Sequence, residues 1–209
     1  KQKNVSEKLL LNILPAEVAK ELKKKGESDA KLFDDVTVLF TDFVGFTTVS
    51  EKLTPKQLVD ELHACFTAFD GIMAKYNIEK IKTVGDAYLA VSGLPLANEK
   101  HAENVVRAAI DIREFMLARH NELKDKTFAV RIGVHSGNVV AGIVGVKKFA
   151  YDIWGDTVNT AARMEQSSVA GRINVSETTY AIVKDQFEFE YRGEVEAKNK
   201  GMMRMYFAV

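Results

Sequence analysis

Asp42 and Asp86 are the residues whose type and setting first point to chemistry. Asp42 follows Val36-Thr-Val-Leu-Phe40, a short strand rich in β-branched residues, and so is expected just past its end. Asp86 stands with Gly85 in a tight turn between two further predicted strands, Ile78–Ile81 and Ala87–Val91. Two carboxylates fixed by rigid strands can share hard divalent cations if the strands lie side by side. The same residues can equally cap turns. Between them in function, the loop Phe43-Val44-Gly45-Phe46-Thr47 offers backbone N–H groups that can face phosphate oxygens. It lacks the G-x-x-x-x-G-K-[ST] string of a Walker loop, and an ordinary tight turn also fits it.

A second set is cationic or amide. Asn159 and Arg163 are four apart on a predicted short helix, Thr157–Met164, and face the same way. A guanidinium binds phosphate and steadies developing negative charge; the alternative is a solvated surface pair. Arg131 lies inside a predicted strand, Thr127–Val134, two residues before Gly133, and a charge there asks for a partner or a ligand. Lys82 and Asp152 both sit among apolar neighbours, either as exposed sheet residues or as readers of a nucleobase. An ammonium can donate to adenine N1 and a carboxylate can accept from its 6-amino group, whereas guanine inverts that demand. Cys65 falls on the apolar face of a helix and reads as core, His135 as structural, and Trp154 as packed beside the site; Lys147-Lys148 reads as a solvated pair.

These residues need an alternating α/β framework. A Thr54-Pro55-x-Gln57 capping box opens a helix whose apolar face includes Leu58, Leu62, Cys65, Phe66 and Phe69. A second helix is expected from His101 to Arg119, strands near Ile173–Val175 and Phe187–Tyr191, a helix over Glu177–Val183, and a last strand over Met202–Val209 that turns Met203, Met205, Phe207 and Val209 to one face. The valine-rich, glycine-punctuated segment His135–Val146 implies close backbone approach. Strands interleaved with helices, with no repeat and no linker, indicate one α/β domain over residues 31–209. Residues 1–30 form a helical lead-in or linker in two pieces, with Leu10, Leu14, Val18 and Leu22 every four residues, Pro15 opening the second piece and Gly26 ending it. The chain starts at Lys1 and is read as a piece of something longer, with a sensory or membrane region upstream. The 29 basic residues equal the 29 acidic ones, so no global charge draws the chain to nucleic acid. One cysteine permits no internal disulfide, which suits a cytoplasmic catalytic domain, and the intact protein can still be membrane-anchored.

Four stretches make the sequence resemble the class III adenylyl and guanylyl cyclase catalytic domain: Phe40-Thr-Asp-Phe-Val-Gly-Phe-Thr47, Lys80-Ile-Lys-Thr-Val-Gly-Asp-Ala-Tyr88, Arg131-Ile-Gly-Val-His-Ser-Gly137 and Tyr151-Asp-Ile-Trp-Gly-Asp-Thr-Val-Asn-Thr-Ala-Ala-Arg163. The resemblance runs from about Val36 to Val209 and implies a ferredoxin-like βαββαβ core with additions. It also implies a homodimer with two shared sites and two divalent cations, Mg2+ or Mn2+. Asp42 and Asp86 match the metal-binding aspartates and Phe43 the position whose carbonyl completes a metal shell. Arg131 matches a phosphate-contacting arginine, Asn159 the ribose-positioning asparagine and Arg163 the arginine that stabilises the transition state. Lys198 matches a phosphate-binding lysine, although Ala197-Lys-Asn-Lys-Gly201 departs from the family's Lys-Gly-Lys-Gly and makes Lys198 hard to separate from Lys200. Lys82 and Asp152 match the adenine-reading pair, where guanylyl cyclases typically carry Glu and Cys. ATP is therefore the expected substrate and cyclic AMP the product. Flanking pieces such as Ser92-Gly-Leu-Pro95 resemble guanylyl cyclases, which keeps cyclic GMP, or a converted specificity, as the alternative.

Overall fold

A computed structural model describes residues 2–209. Strand β1 (Lys31–Val44) leads to the short helix α3 (Phe46–Ser50) and to α4 (Pro55–Lys75), after the lead-in helices α1 (Gln2–Leu11) and α2 (Ala16–Lys25). The hairpin β2 (Glu79–Val84) and β3 (Ala87–Ser92), helix α5 (His101–Leu123) and strand β4 (Ala129–Val144) complete the first half. Then come β5 (Ala150–Trp154), α6 (Asp156–Gln166), β6 (Ile173–Ser176), α7 (Glu177–Val183), β7 (Phe189–Ala197) and β8 (Gly201–Ala208). The sheet order is β2-β3-β1-β4-β6-β8-β7, with β5 added to β4. Each of its first four strands runs antiparallel to its neighbours, and the two connecting helices, α4 and α5, pack against the same core cluster. That is the ferredoxin-like βαββαβ arrangement; β4 to β6 is the parallel step into the extension.

Two apolar layers hold the sheet. Leu39 and Phe43 of β1 meet Cys65, Phe69 and Met73 of α4 and Val105, Ala109 and Ile112 of α5 on one face. On the other, Val36, Val38, Leu89, Val91, Tyr151 and Ile153 meet Leu14, Val18 and Ala19 of the lead-in and Ala161 of α6. The lead-in thus contributes to the core, which explains the spacing of Leu14 and Val18. Pro15 stands one position before the first helical residue, as the cap, and Gly26 closes α2 with φ 79°. The capping box at Thr54 and Gln57 is formed in both directions.

Several boundaries differ from expectation. Strand β1 does not stop at Phe40, so Asp42 lies inside a strand and the turn shrinks to Gly45, φ 68°. Strand β4 runs through the glycine-rich segment to Val144. Its glycines are there for contact: a Cβ on Gly133 would lie 1.9 Å from the Glu165 amide nitrogen, and one on Gly137 2.5 Å from Thr157 Oγ1, so α6 sits directly on the strand. Strand β7 begins at Phe189 and extends to Ala197, beyond the apolar residues that announced it. Val209 lies outside β8 and is exposed, while Ala208 is buried. Trp154 is 40% exposed and is not packed away.

A polar tie escaped the sequence reading. Buried Glu61 of α4 accepts from Arg119 Nε and Nη2, both at 2.6 Å, and from Thr127 Oγ1 at 2.6 Å. Burial alone would raise the Glu61 carboxyl, but the Arg119 and Thr127 bonds outweigh it and hold the group below its usual range. Glu61→Ala should cost about 3 kcal/mol, because it strands Arg119 between two helices. The contribution is present at neutral pH and lost as acid protonates Glu61, since a lowered carboxylate pKa stabilises only above it. Urea denaturation at pH 7 checks this; an unchanged midpoint would show the tie to be idle.

Candidate active site

The metal-side groups gather at one end of β1. Asp42 and Arg131 are direct partners in the antiparallel ladder of β1 and β4. The β1–β3 register pairs Thr41 with Tyr88, so residue 87 falls beside Asp42 and Asp86, in the turn, lies diagonally next to it. The two carboxyls are close enough to hydrogen-bond. Burial first, then the bond and charge of Asp86 and the charge of Glu165, push Asp42 up to about 6 against the pull of Arg131. A crowded carboxylate pair of this kind is relieved by a cation. Among the described residues no three His, Cys, Asp or Glu side chains form a metal cluster. The donor set is two carboxylates with room for backbone or ligand oxygens, which fits hard cations bound together with phosphate. Asp42 and Asp86 would hold them, with the Phe43 carbonyl beside Asp42.

The Phe43 ring itself is core, stacked 4.7 Å from Phe128 and 5.8 Å from Phe66. That anchorage fixes the backbone on which Asp42 sits. Val44 is half-buried, Gly45 turns the chain, and Phe46 packs 5.3 Å from Phe128, which leaves Thr47 exposed.

The second group lies elsewhere. Lys82 of β2 and Asp152 of β5, 70 residues apart, form an ion pair at 2.6 Å. Asp152 is held from behind by the Ile153 amide at 2.8 Å. Asn159 and Arg163 share the outer side of α6, where Arg163 donates to Gln166 at 2.5 Å. Lys198 is exposed in the β7–β8 turn, whereas Lys200 is paired with Asp156 at the start of α6. The two lysines that the sequence left equivalent are therefore distinct: one is occupied and one is free to meet a ligand. No hydrogen bond or ion pair among the described residues joins Asn159, Arg163, Lys198 or the Lys82–Asp152 pair to Asp42 or Asp86.

Arg131 found a partner that sequence reasoning missed. Its Nε donates to Glu165 at 2.5 Å and its Nη2 to Asp42 at 3.3 Å. Glu165 is buried, and that burial outweighs the pull of Arg131 and raises its carboxyl. The available signal was periodicity: Glu165 continues the buried line of Thr157 and Ala161 on α6, where a carboxylate needs a cation. His135 bonds Ser176 at 2.7 Å and is pushed down to about 4 by burial, and Cys65 is raised to about 12 by burial. Both therefore act as neutral structural groups at pH 7.

Among the described residues no helix is long and apolar enough to cross a membrane. The family model for the adenylate and guanylate cyclase catalytic domain matches residues 28–209. The chain is 43% identical to human atrial natriuretic peptide receptor 2 over 99% of its own length and 20% of the receptor's. It is 41% identical to human guanylyl cyclase C, again over 99% of this chain and 20% of the relative. The chain thus spans about a fifth of these curated relatives. Among solved structures, the catalytic core of a rhodopsin-guanylyl cyclase with converted specificity, in complex with ATPαS, matches with TM-score 0.80 at 36% identity, covering 87% of this chain and 98% of that one. The adenylyl cyclase CyaB from P. aeruginosa matches with TM-score 0.82 at 28% identity, covering 87% and 96%. With the motifs, topology and matches agreeing over nearly its whole length, the chain belongs to the adenylate and guanylate cyclase catalytic domain family.

Proposed function

We propose that this domain converts ATP to 3′,5′-cyclic AMP and pyrophosphate at two sites shared by a homodimer. The ribose 3′ oxygen bonds to the α-phosphorus, the bond from that phosphorus to the β-phosphate bridging oxygen breaks, and the 3′ proton leaves to solvent. Mg2+ or Mn2+ held by Asp42 and Asp86, when bound, supplies positive charge to the triphosphate and acidifies the 3′ hydroxyl. Arg131 and Lys198 bind phosphate oxygens, Asn159 orients the ribose, and Arg163 meets charge growing at the α-phosphate. Backbone amides of residues 43–47 lie along the phosphates.

The Lys82–Asp152 contact at 2.6 Å carries the choice of base. It presents one donor beside one acceptor, the complement of adenine N1 and its 6-amino group. Guanylyl activity is the second reading, favoured by the likeness to guanylyl cyclase C. Overall identity is spread over the whole chain, whereas the choice of base in this reading rests on two side chains, Lys82 and Asp152. The converted rhodopsin-guanylyl cyclase that holds ATPαS supports the idea that this scaffold accommodates either purine. A dimer is supported by the separated half-sites and by an apolar band: Leu32, Val140 and Trp154 lie in register across β1, β4 and β5, all exposed, on the same side of β5 as Asp152. Turnover of ATP and of GTP by the purified protein with Mg2+ and with Mn2+, with each product identified, tests the reading. Cyclic AMP from ATP at the higher kcat/KM is expected; preferential cyclic GMP formation would transfer the assignment to the guanylyl reading, and no cyclic product would refute both.

A further inference from the structure

Arg131 is a hazard to the site that it serves. Its guanidinium reaches Asp42 Oδ2 at 3.3 Å, and a full ion pair there would neutralise one of the two carboxylates needed by a cation. Glu165 opposes this. It holds Arg131 Nε at 2.5 Å, the shorter of the two contacts, from a buried position fixed by the seating of α6 on Gly133. The Glu165 backbone nitrogen is itself the atom nearest to the Gly133 seat, so the backbone that carries its side chain is held against β4. Thr157 on Gly137 fixes the other end of the helix.

We infer that Glu165 is a positioning residue that draws Arg131 away from Asp42 and so keeps the carboxylate pair open to a divalent cation. The inference rests on the reading of Asp42 and Asp86 as cation ligands. It adds a division of labour: Glu165 sets how strongly Arg131 competes with the cation, and holds the guanidinium ready to turn to phosphate when nucleotide arrives. A fork of donors shared between two carboxylates suits this role, since Arg131 can keep one bond while exchanging the other.

The experiment measures Mn2+ binding to the nucleotide-free 209-residue protein from the electron paramagnetic resonance signal of free Mn2+. Glu165→Gln keeps the shape and one acceptor but loses the charge, and should weaken Mn2+ binding about 10-fold. Glu165→Asp, which retracts the carboxylate by one methylene, should fall between. Arg131→Gln should bind Mn2+ at least as well as wild type, and adding Glu165→Gln to it should cost little more, because the competitor is gone. Thermal unfolding of each variant verifies that the protein is folded; a purely structural role would lower the melting temperature and leave Mn2+ affinity alone. Equal weakening by Glu165→Gln with and without Arg131 would overturn the inference, since Glu165 would then act by its own charge on the cation. So would unchanged Mn2+ binding in Glu165→Gln while Asp86→Ala loses it. Intact Mn2+ binding in Asp86→Ala would instead refute the reading of the cation site, and the inference with it.

Discussion

Mixing two dead proteins should regenerate activity. Asp86→Ala is expected to lose roughly 10²–10³-fold in turnover, and Asn159→Ala a comparable amount, as each removes a group needed where charge develops. Each homodimer of a single variant has two defective sites. In a heterodimer the two lesions fall in one site, which leaves the other with Asp86 from one chain and Asn159 from its neighbour. Random pairing at equal concentrations makes half of the dimers mixed, each with one sound site of two, so about a quarter of wild-type activity should return. Mutants of the same half-site, Asp42→Ala with Asp86→Ala, should not rescue each other. A null result in the first mixture, with heterodimers shown by differently tagged chains, would mean that one subunit encloses its substrate alone.

Exchange of the base-reading pair should move preference between purines. Lys82 and Asp152 touch, so a single change is uninformative: Lys82→Glu alone would set two carboxylates together and harm both substrates. Lys82→Glu with Asp152→Cys removes the clash. Polar complements left unpaired against the wrong base typically cost a few kcal/mol, so the ratio of kcat/KM for ATP to that for GTP should fall by roughly 10²-fold or more. Melting temperature is measured alongside, because Asp152 is only 16% exposed at its side chain and also accepts from the Ile153 amide. An unmoved ratio in a folded double mutant would show that other contacts choose the base.

Much of the fold was legible because local chemistry and tertiary demand agree. The Thr54 box, the turn at Gly85 and Asp86, and helix α7 over Glu177–Val183 all stand where their residues predict. The failures share one cause: residue types that break strands in isolation are tolerated when a neighbour requires them. Strand β4 is expected to end at Val134, yet it runs on through Gly137 and Gly142; the close backbone approach expected there is present, with Gly137 receiving Thr157 and Gly142 facing Ala30. Asp42 is expected just past the end of its strand, yet the ladder continues through it, with Arg131 facing it from β4. In the candidate site, residue types marked the individual groups. The Lys82–Asp152 contact depends on a 70-residue separation closed by the sheet, and the part of Glu165 appears only once α6 is laid on its strand. Lys198 and Lys200 separate through Asp156, which belongs to another element.

The glycine seat beneath α6 has a mechanical consequence for the proposed dimer. The helix that lends Asn159 and Arg163 to one catalytic chamber has no cushion of side chains between its last turn and the strand bearing Arg131, which serves the other chamber. Helix and strand must travel as one girder. In the proposed dimer, a nucleotide that pulls on Arg163 in the first chamber would therefore be expected to tug on the strand that furnishes the second.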